Sequence, residues 1–179
     1  MRVIEHRRHS VRHQPGHHLN QAGVDLARRV GGEIGPFGLV ITSTAARAFE
    51  TAIAMGFAVD EQLPGLETLP AGFEDEVNWN AGYMAFIDAI AHLPDGVVAT
   101  YARSMRELHI KIAGRLQEGG SALVISHGGV VEASAVGCLP DADFDGWPGC
   151  DYCEGIRLTY DVGRFTKVEL LRVSNSPDR

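Results

Sequence analysis

Arg8 and His9 stand side by side near the start of this 179-residue chain, Arg47 follows well downstream, and His127 precedes Gly128-Gly129. These are the residue types that handle phosphoryl groups. A phosphate monoester carries close to two negative charges, and its transfer is catalysed mostly by positioning and charge stabilisation. Guanidinium groups offer planar forks of donors that match phosphate oxygens, so Arg8 and Arg47 together can grip two faces of one phosphate. His9 can act as a nucleophile that carries the phosphoryl group covalently. Its attacking nitrogen must then be unprotonated, which requires the other ring nitrogen to donate to a fixed acceptor such as a backbone carbonyl. His127 can bind the charge that develops on the equatorial oxygens, and the glycines after it let backbone approach an anion closely. A leaving alkoxide also needs a proton, best supplied by a carboxylic acid with a raised pKa.

These residues must be carried to one place. Arg2 to His6 is a β-compatible opening, and residues 7 to 18, polar with Pro15 and Gly16, read as a loop. Val24, Leu26, Ala27, Val30 and Ile34 recur at helical spacing until Gly35-Pro36 stops the run. Leu39-Val40-Ile41 reads as a buried strand, and Thr42-Ser43-Thr44 offers an N-cap to a helix running through Arg47 to about Met55. Residues 58 to 80 are irregular. Helices are expected over Ala81–Ala91 and Val98–Gln117, a strand over Ala122–Ser126, a tight turn at His127-Gly128-Gly129 and a short helix over Val130–Gly137. Residues 138 to 154 read as loop, and two closing strands span Gly155–Tyr160 and Lys167–Val173. Strands alternating with long helices indicate an α/β fold, a three-layer αβα sandwich with a mostly parallel central sheet, in one domain over residues 1–179. In such sheets ligands sit beyond the carboxyl ends of the strands. Three strand ends then deliver Arg8-His9, Ser43 to Arg47, and His127 to one edge.

Bulk properties narrow the field. The sequence is 45% hydrophobic and 22% charged, with a formal net charge of −7, which argues for a folded domain and against nucleic acid or an anionic membrane as a partner. The charge is uneven: Arg2, Arg7, Arg8 and Arg12 crowd the N-terminus among several histidines. The basic loop from Arg7 to His18 hints at a substrate with a second negative charge. No apolar run approaches the roughly 18 residues of a membrane helix, and the opening residues lack the apolar stretch of a signal peptide. The three cysteines, Cys138, Cys150 and Cys153, are too few for a disulfide scaffold, so a reducing, cytoplasmic setting is expected. His13, His17 and His18 do not match a zinc spacing. Cys150 and Cys153 form a CxxC without a second one, and read as two reduced thiols in a loop. No metal or cofactor is expected. Oligomeric state is not legible.

The chain resembles the histidine phosphatase superfamily, the phosphoglycerate mutase-like family. The resemblance is carried by Ile4-Glu5-His6-Arg7-Arg8-His9-Ser10, by Leu19-Asn20-Gln21-Ala22-Gly23, by Thr42 to Ala52 around Arg47, and by Val124-Ile125-Ser126-His127-Gly128-Gly129. It implies a phosphoglycerate mutase-like fold, His9 as the phosphorylated nucleophile, Arg8 and Arg47 as phosphate-binding groups, and His127 completing the pocket. The register follows too, since the family places Arg directly before the nucleophile, as Arg8-His9 does and His6-Arg7 does not. Ser10 stands where the family has Gly. The general acid in the family is a Glu that follows a Leu and precedes a Gly, which Leu66-Glu67 with Gly72 fits approximately, with Glu74, Asp75 and Glu76 as rivals. The segment of about 58–81 is the one obvious cap, and it is short. A mutase must keep its phosphorylated intermediate from water, so the expectation is a metal-independent phosphatase acting on a small phosphorylated substrate. The alternatives are a catalytically weak phosphate-binding regulatory module and a mutase-type phosphotransferase.

Overall fold

A six-stranded sheet in the order β3-β2-β4-β1-β5-β6 organises residues 1–173, the part of the chain that the computed structural model describes. Its strands are β1 (Arg2–Arg8), β2 (Leu39–Thr42), β3 (Glu61–Gln62), β4 (Ser121–Ser126), β5 (Gly155–Asp161) and β6 (Arg164–Leu171). The pairs β3-β2, β2-β4 and β4-β1 are parallel, while β1-β5 and β5-β6 are antiparallel. The helices are α1 (Gln21–Gly31), α2 (Ala46–Ala54), the single turn α3 (Phe73–Glu76), α4 (Met84–His92), α5 (Val97–Arg115) and α6 (Val130–Cys138).

Alternation along the strands divides the core in two. Ile41 and Val124 join Met105, Ile112 and Val131 in the larger cluster, under α4, α5 and α6. Val40, Leu123 and Ile125 join Leu26, Val30 and Ala52 in the smaller one, under α1 and α2. The expected three layers and mostly parallel sheet are present.

Two local expectations are corrected. β1 runs to Arg8 rather than stopping at His6, because β4 and β5 pair with it on both sides through Arg8↔Ser126 and Arg7↔Gly155. Backbone pairing in mid-sheet outweighs the polar side chains that made residues 7 and 8 read as loop. The triplet Thr42-Ser43-Thr44 does not cap α2 either. The N-cap is Ala45, without a side-chain hydrogen bond, and the hydroxyls of Ser43 and Thr44 are turned to His127 and Glu67 instead. Residues 58 to 80, read as irregular, hold β3, α3 and 3-10 turns at Pro64–Leu66 and Trp79–Ala81, and anchor to the core through buried Leu66, Phe73 and Val77.

Asn20 caps α1 by accepting from Gly23 N at 2.8 Å. Gly23 must be glycine: a Cβ there would stand 1.9 Å from the Val11 carbonyl oxygen. The Leu19-to-Gly23 motif therefore lets the loop after β1 lie directly on the first turn of α1. The carboxylate of Glu76 accepts from Val97 N and Val98 N, both at 3.0 Å, and so caps α5.

Candidate active site

The carboxyl ends of β1, β4 and β2 are neighbours in the sheet, and the residues just past them stay tied together. His9 N donates to Ser126 O at 2.8 Å, and Ser43 N to Ile125 O at 2.9 Å. A cavity of about 540 Å³ opens over this edge. Arg8, His9, Arg47 and His127 all line it, so four residues singled out from the sequence converge.

The ring of His9 is buried, at 5% exposure. Its Nδ1 lies 2.7 Å from Ser10 O, and its Nε2 receives a hydrogen bond from Arg47 Nε at 3.1 Å. Guanidinium groups only donate, so Nε2 carries the lone pair and Nδ1–H donates to the carbonyl. This is the tautomer that a nucleophilic histidine requires. Burial lowers its pKa to about 4; the Ser10 carbonyl opposes this, while the charges of Arg47, Arg8 and Arg12 reinforce it. His127 is read in the same way. Arg47 NH2 lies 3.1 Å from Nδ1, which must accept, so Nε2–H donates to Ser43 Oγ at 2.8 Å. Burial, then the charge of Arg47, brings its pKa down to about 3. One side chain, Arg47, occupies the cavity-facing lone pairs of both rings. It lies in the first turn of α2, where helix N–H groups add to the field that attracts anions. Glu50, its alternative helical ion-pair partner, is taken by His18 at 2.5 Å.

Adjacent arginines on β1 diverge because successive side chains on a strand face opposite ways. Arg7 is paired with Glu5 at 2.8 Å and donates to Cys153 O at 2.9 Å, inside the protein. Arg8 faces the cavity, donates through NH1 to Cys150 O at 2.8 Å, and lies under the Tyr152 ring at 4.6 Å. Its Nε is buried and has no hydrogen-bond partner among the described residues, as expected of a donor kept for a ligand.

Apart from Arg12, part of the basic loop of residues 7 to 18, the remaining wall was not read from the sequence. Glu132, Cys150, Asp151 and Tyr152 line the cavity, and so do Arg12, Gln14 and Trp79. Glu132 accepts from Gly129 N at 2.6 Å and Cys150 N at 2.8 Å, fastening the loop of residues 139–154 to the start of α6. Burial raises its pKa. Gly129, at φ +82, could not carry a side chain without pressing on Leu69 and Trp79. Because β5 is antiparallel, the loop before it arrives at the same edge where the parallel strands end, which is why residues 149 to 152 reach the cavity.

The candidate acids are spread apart. Glu67 accepts from the Thr44 hydroxyl and lies on the flank of Arg47, whose cationic form it favours; it is not among the residues lining the cavity. Glu74 and Asp75 border a separate depression beside Leu69 and Pro70, and Glu76 is committed to capping α5. Ser10 is fully buried; its hydroxyl donates to Gly23 O at 2.7 Å and its N–H to Thr51 Oγ1 at 2.9 Å. The serine therefore braces the loop that carries His9 against α1 and α2, away from the cavity. The CxxC thiols point to opposite faces of the sheet. Cys150 sits in the larger core, 3.0 Å from the Tyr83 hydroxyl, and Cys153 in the smaller. Burial raises both, Cys153 to about 11.

The whole arrangement defines a phosphoglycerate mutase-like α/β fold. No protein-family model matches the sequence, and no curated protein matches it. Solved structures do. Phosphoserine phosphatase from Entamoeba histolytica, solved in complex with 3-phosphoglyceric acid, superposes with a TM-score of 0.70 at 17% identity, over 97% of this chain and 98% of that one. Phosphoglycerate mutase from Bacillus anthracis str. Sterne gives 0.65 at 15% identity, covering 94% and 92%. A mycobacterial glucosyl-3-phosphoglycerate phosphatase, solved with VO3, gives 0.64 at 16% identity, covering 97% and 100%. No helix among the described residues is long and apolar enough to cross a membrane.

Proposed function

We propose that the chain is a metal-independent phosphatase of the histidine phosphatase superfamily, which hydrolyses a small phosphate monoester through a phosphohistidine on His9. The observation that carries the reading is the lone pair on His9 Nε2, which faces a cavity lined by Arg8, Arg47 and His127 while Nδ1–H is tied to the Ser10 carbonyl. Phosphate oxygens draw Arg47 off the two rings. His9 Nε2 then attacks phosphorus in line, and the bond to the ester oxygen breaks. Arg8, Arg47 and His127 hold the transferring group, and Glu67, which rests beside Thr44 and Arg47 outside the cavity lining, turns in to give its proton to the leaving alcohol. Water next attacks the phosphohistidine and gives a proton to the Glu67 carboxylate, the P–N bond breaks, and inorganic phosphate, the neutral ring and the carboxylic acid result.

Hydrolysis is preferred to transfer because the segment of about 58–81 makes only a short cap, with Trp79 as its reach into the cavity. Such a cap leaves the intermediate open to water. Phosphatases and a mutase share the fold alike, so the choice rests on the cap.

Acid-quenched or base-quenched labelling with a radioactive phosphate ester tests the reading. Label that is acid-labile and alkali-stable, mapped to His9, and phosphate release that survives EDTA are the expected results. Tight phosphate binding without label points to a regulatory module, and label passed to a second alcohol rather than water points to a mutase. Loss of turnover in EDTA contradicts the metal-independent mechanism.

A further inference from the structure

The cavity contains one guanidinium more than the reacting phosphoryl group needs. Arg8 and Arg47 flank His9, and Arg12 reaches the same space from the loop after β1. Among the described residues none of these three forms an ion pair with a carboxylate within 4 Å. Arg12 is also held in place. Its NH1 donates to Gly16 O at 2.7 Å and to His13 O at 3.3 Å. The loop that carries it is closed by the Arg12↔Leu19 bridge and by His13 N donating to His18 O at 3.0 Å. One nitrogen is thus anchored to backbone, which aims the rest of the fork.

Its charge is felt across the cavity. It disfavours the cationic form of Arg47 more than Arg8 does, and it adds to the pressure keeping His9 neutral. Three like charges gathered in a partly desolvated cavity repel one another. The two carboxylates that line the same cavity are engaged with backbone instead, Glu132 accepting from Gly129 N and Cys150 N and Asp151 from Tyr152 N. A phosphate dianion compensates two of the three.

We propose that Arg12, with Gln14 beside it, forms a subsite for a second anionic group, so that the substrate is a phosphomonoester whose alcohol portion bears a carboxylate or another phosphate. The proposal rests on the phosphatase reading of the same cavity. The tyrosine and tryptophan walls at Tyr152 and Trp79 flank the space that the carbon skeleton would cross.

Binding to the His9→Ala protein separates the two ideas, because it does not require turnover. Glycerol 3-phosphate, 3-phosphoglycerate and 1,3-propanediol bisphosphate are titrated calorimetrically at low and high salt. Expected is at least tenfold tighter binding of one or both of the doubly anionic ligands than of glycerol 3-phosphate, weakening with salt. Which of the two gains distinguishes a carboxylate from a phosphate. Adding Arg12→Gln is expected to erase the preference, and Arg12→Lys to retain part of it. A preference below threefold, one that survives Arg12→Gln, or no measurable binding of any ligand overturns the subsite. Phosphate release by the protein with His9 intact is read in parallel. Turnover that needs His9 but shows no preference sinks the subsite alone, and a preference without His9-dependent turnover sinks the phosphatase reading alone.

Discussion

His6 and His109 lie with ring centroids 5.0 Å apart, and His9 and His127 with centroids 5.2 Å apart. His6 lies within β1 and His109 within α5, whereas His9 and His127 follow the ends of β1 and β4, and burial is the main cause that keeps all four rings neutral. They differ in what holds their protons. His109 Nδ1 faces Met105 O at 2.7 Å and must donate, so its Nε2 accepts from His6 Nδ1–H at 3.1 Å, and His6 Nε2 accepts from the Ser126 hydroxyl at 2.6 Å. Every polar atom of that pair has a partner fixed in the scaffold. In the other pair both cavity-facing nitrogens accept from Arg47 alone, a long side chain that an incoming anion can draw away. On the proposed reading a histidine becomes reactive not by being charged or exposed, but by having a displaceable partner on one nitrogen and a backbone partner on the other.

The largest effect that tests this contrast is on His9. His9→Ala is expected to lower phosphate release at least about a thousand-fold, on the order of 4 kcal/mol of barrier, and to abolish the acid-labile label. Arg47→Ala should cost about a hundred- to a thousand-fold in kcat/KM. It should also leave a signature that a simple loss of packing would not. In the wild type kcat/KM is expected to be level at neutral pH and to fall as pH drops through about 4, where His9 takes a proton. Arg47 helps hold that pKa down, so without it the acid limb moves to higher pH. A limb that stays put means that Arg47 does not act on the nucleophile's lone pair. Glu67→Gln is a smaller and more selective change. As proton donor, Glu67 matters most for a poor leaving group, so an alkyl ester should slow by about a hundred-fold and a nitrophenyl ester by only a few-fold. Equal losses on both substrates would give Glu67 a positioning role through Thr44 and Arg47.

Parallel geometry made half of this edge legible in the sequence. Short apolar runs at Leu39 and Ala122 marked strands, and the polar residues directly after them had to sit at the strand ends, so Arg47 and His127 were found together with Arg8 and His9. The other half, from Cys150 to Tyr152, was hidden because nothing in Gly155–Tyr160 says that its strand enters antiparallel beside β1. Glu132 was hidden for another reason. Its side chain turns back to cap its own helix and hold a loop 18 residues on, a use that looks in sequence like any acid in a first helical turn. The hydroxyls of Ser43 and Thr44 misled in the opposite direction, since capping and side-chain recognition demand the same residue types at the same place.

The smallest expected effect on activity belongs to the enclosed pair, and it decides whether the contrast between the pairs is real. In the folded protein the pKa of His109 is brought down to about 4 from 6.5. The unfolded chain therefore holds the extra proton between these values, and stability falls as pH drops from about 6.5 to about 4. Each such histidine contributes roughly 1.4 kcal/mol per pH unit over that window. His109→Leu removes one titrating group, so urea midpoints measured across the window should depend on pH less steeply by about that amount. At pH 8, where no proton is at stake, the same variant loses stability by about 1–3 kcal/mol because His6 Nδ1–H is left without its acceptor. Turnover at pH 8 should stay within about threefold of the wild type, since the chain from Met105 to Ser126 fixes strand ends without touching the cavity. A collapse of kcat in a variant that remains folded would mean that the enclosed histidines tune the reactive ones, and that the two pairs work as a single unit.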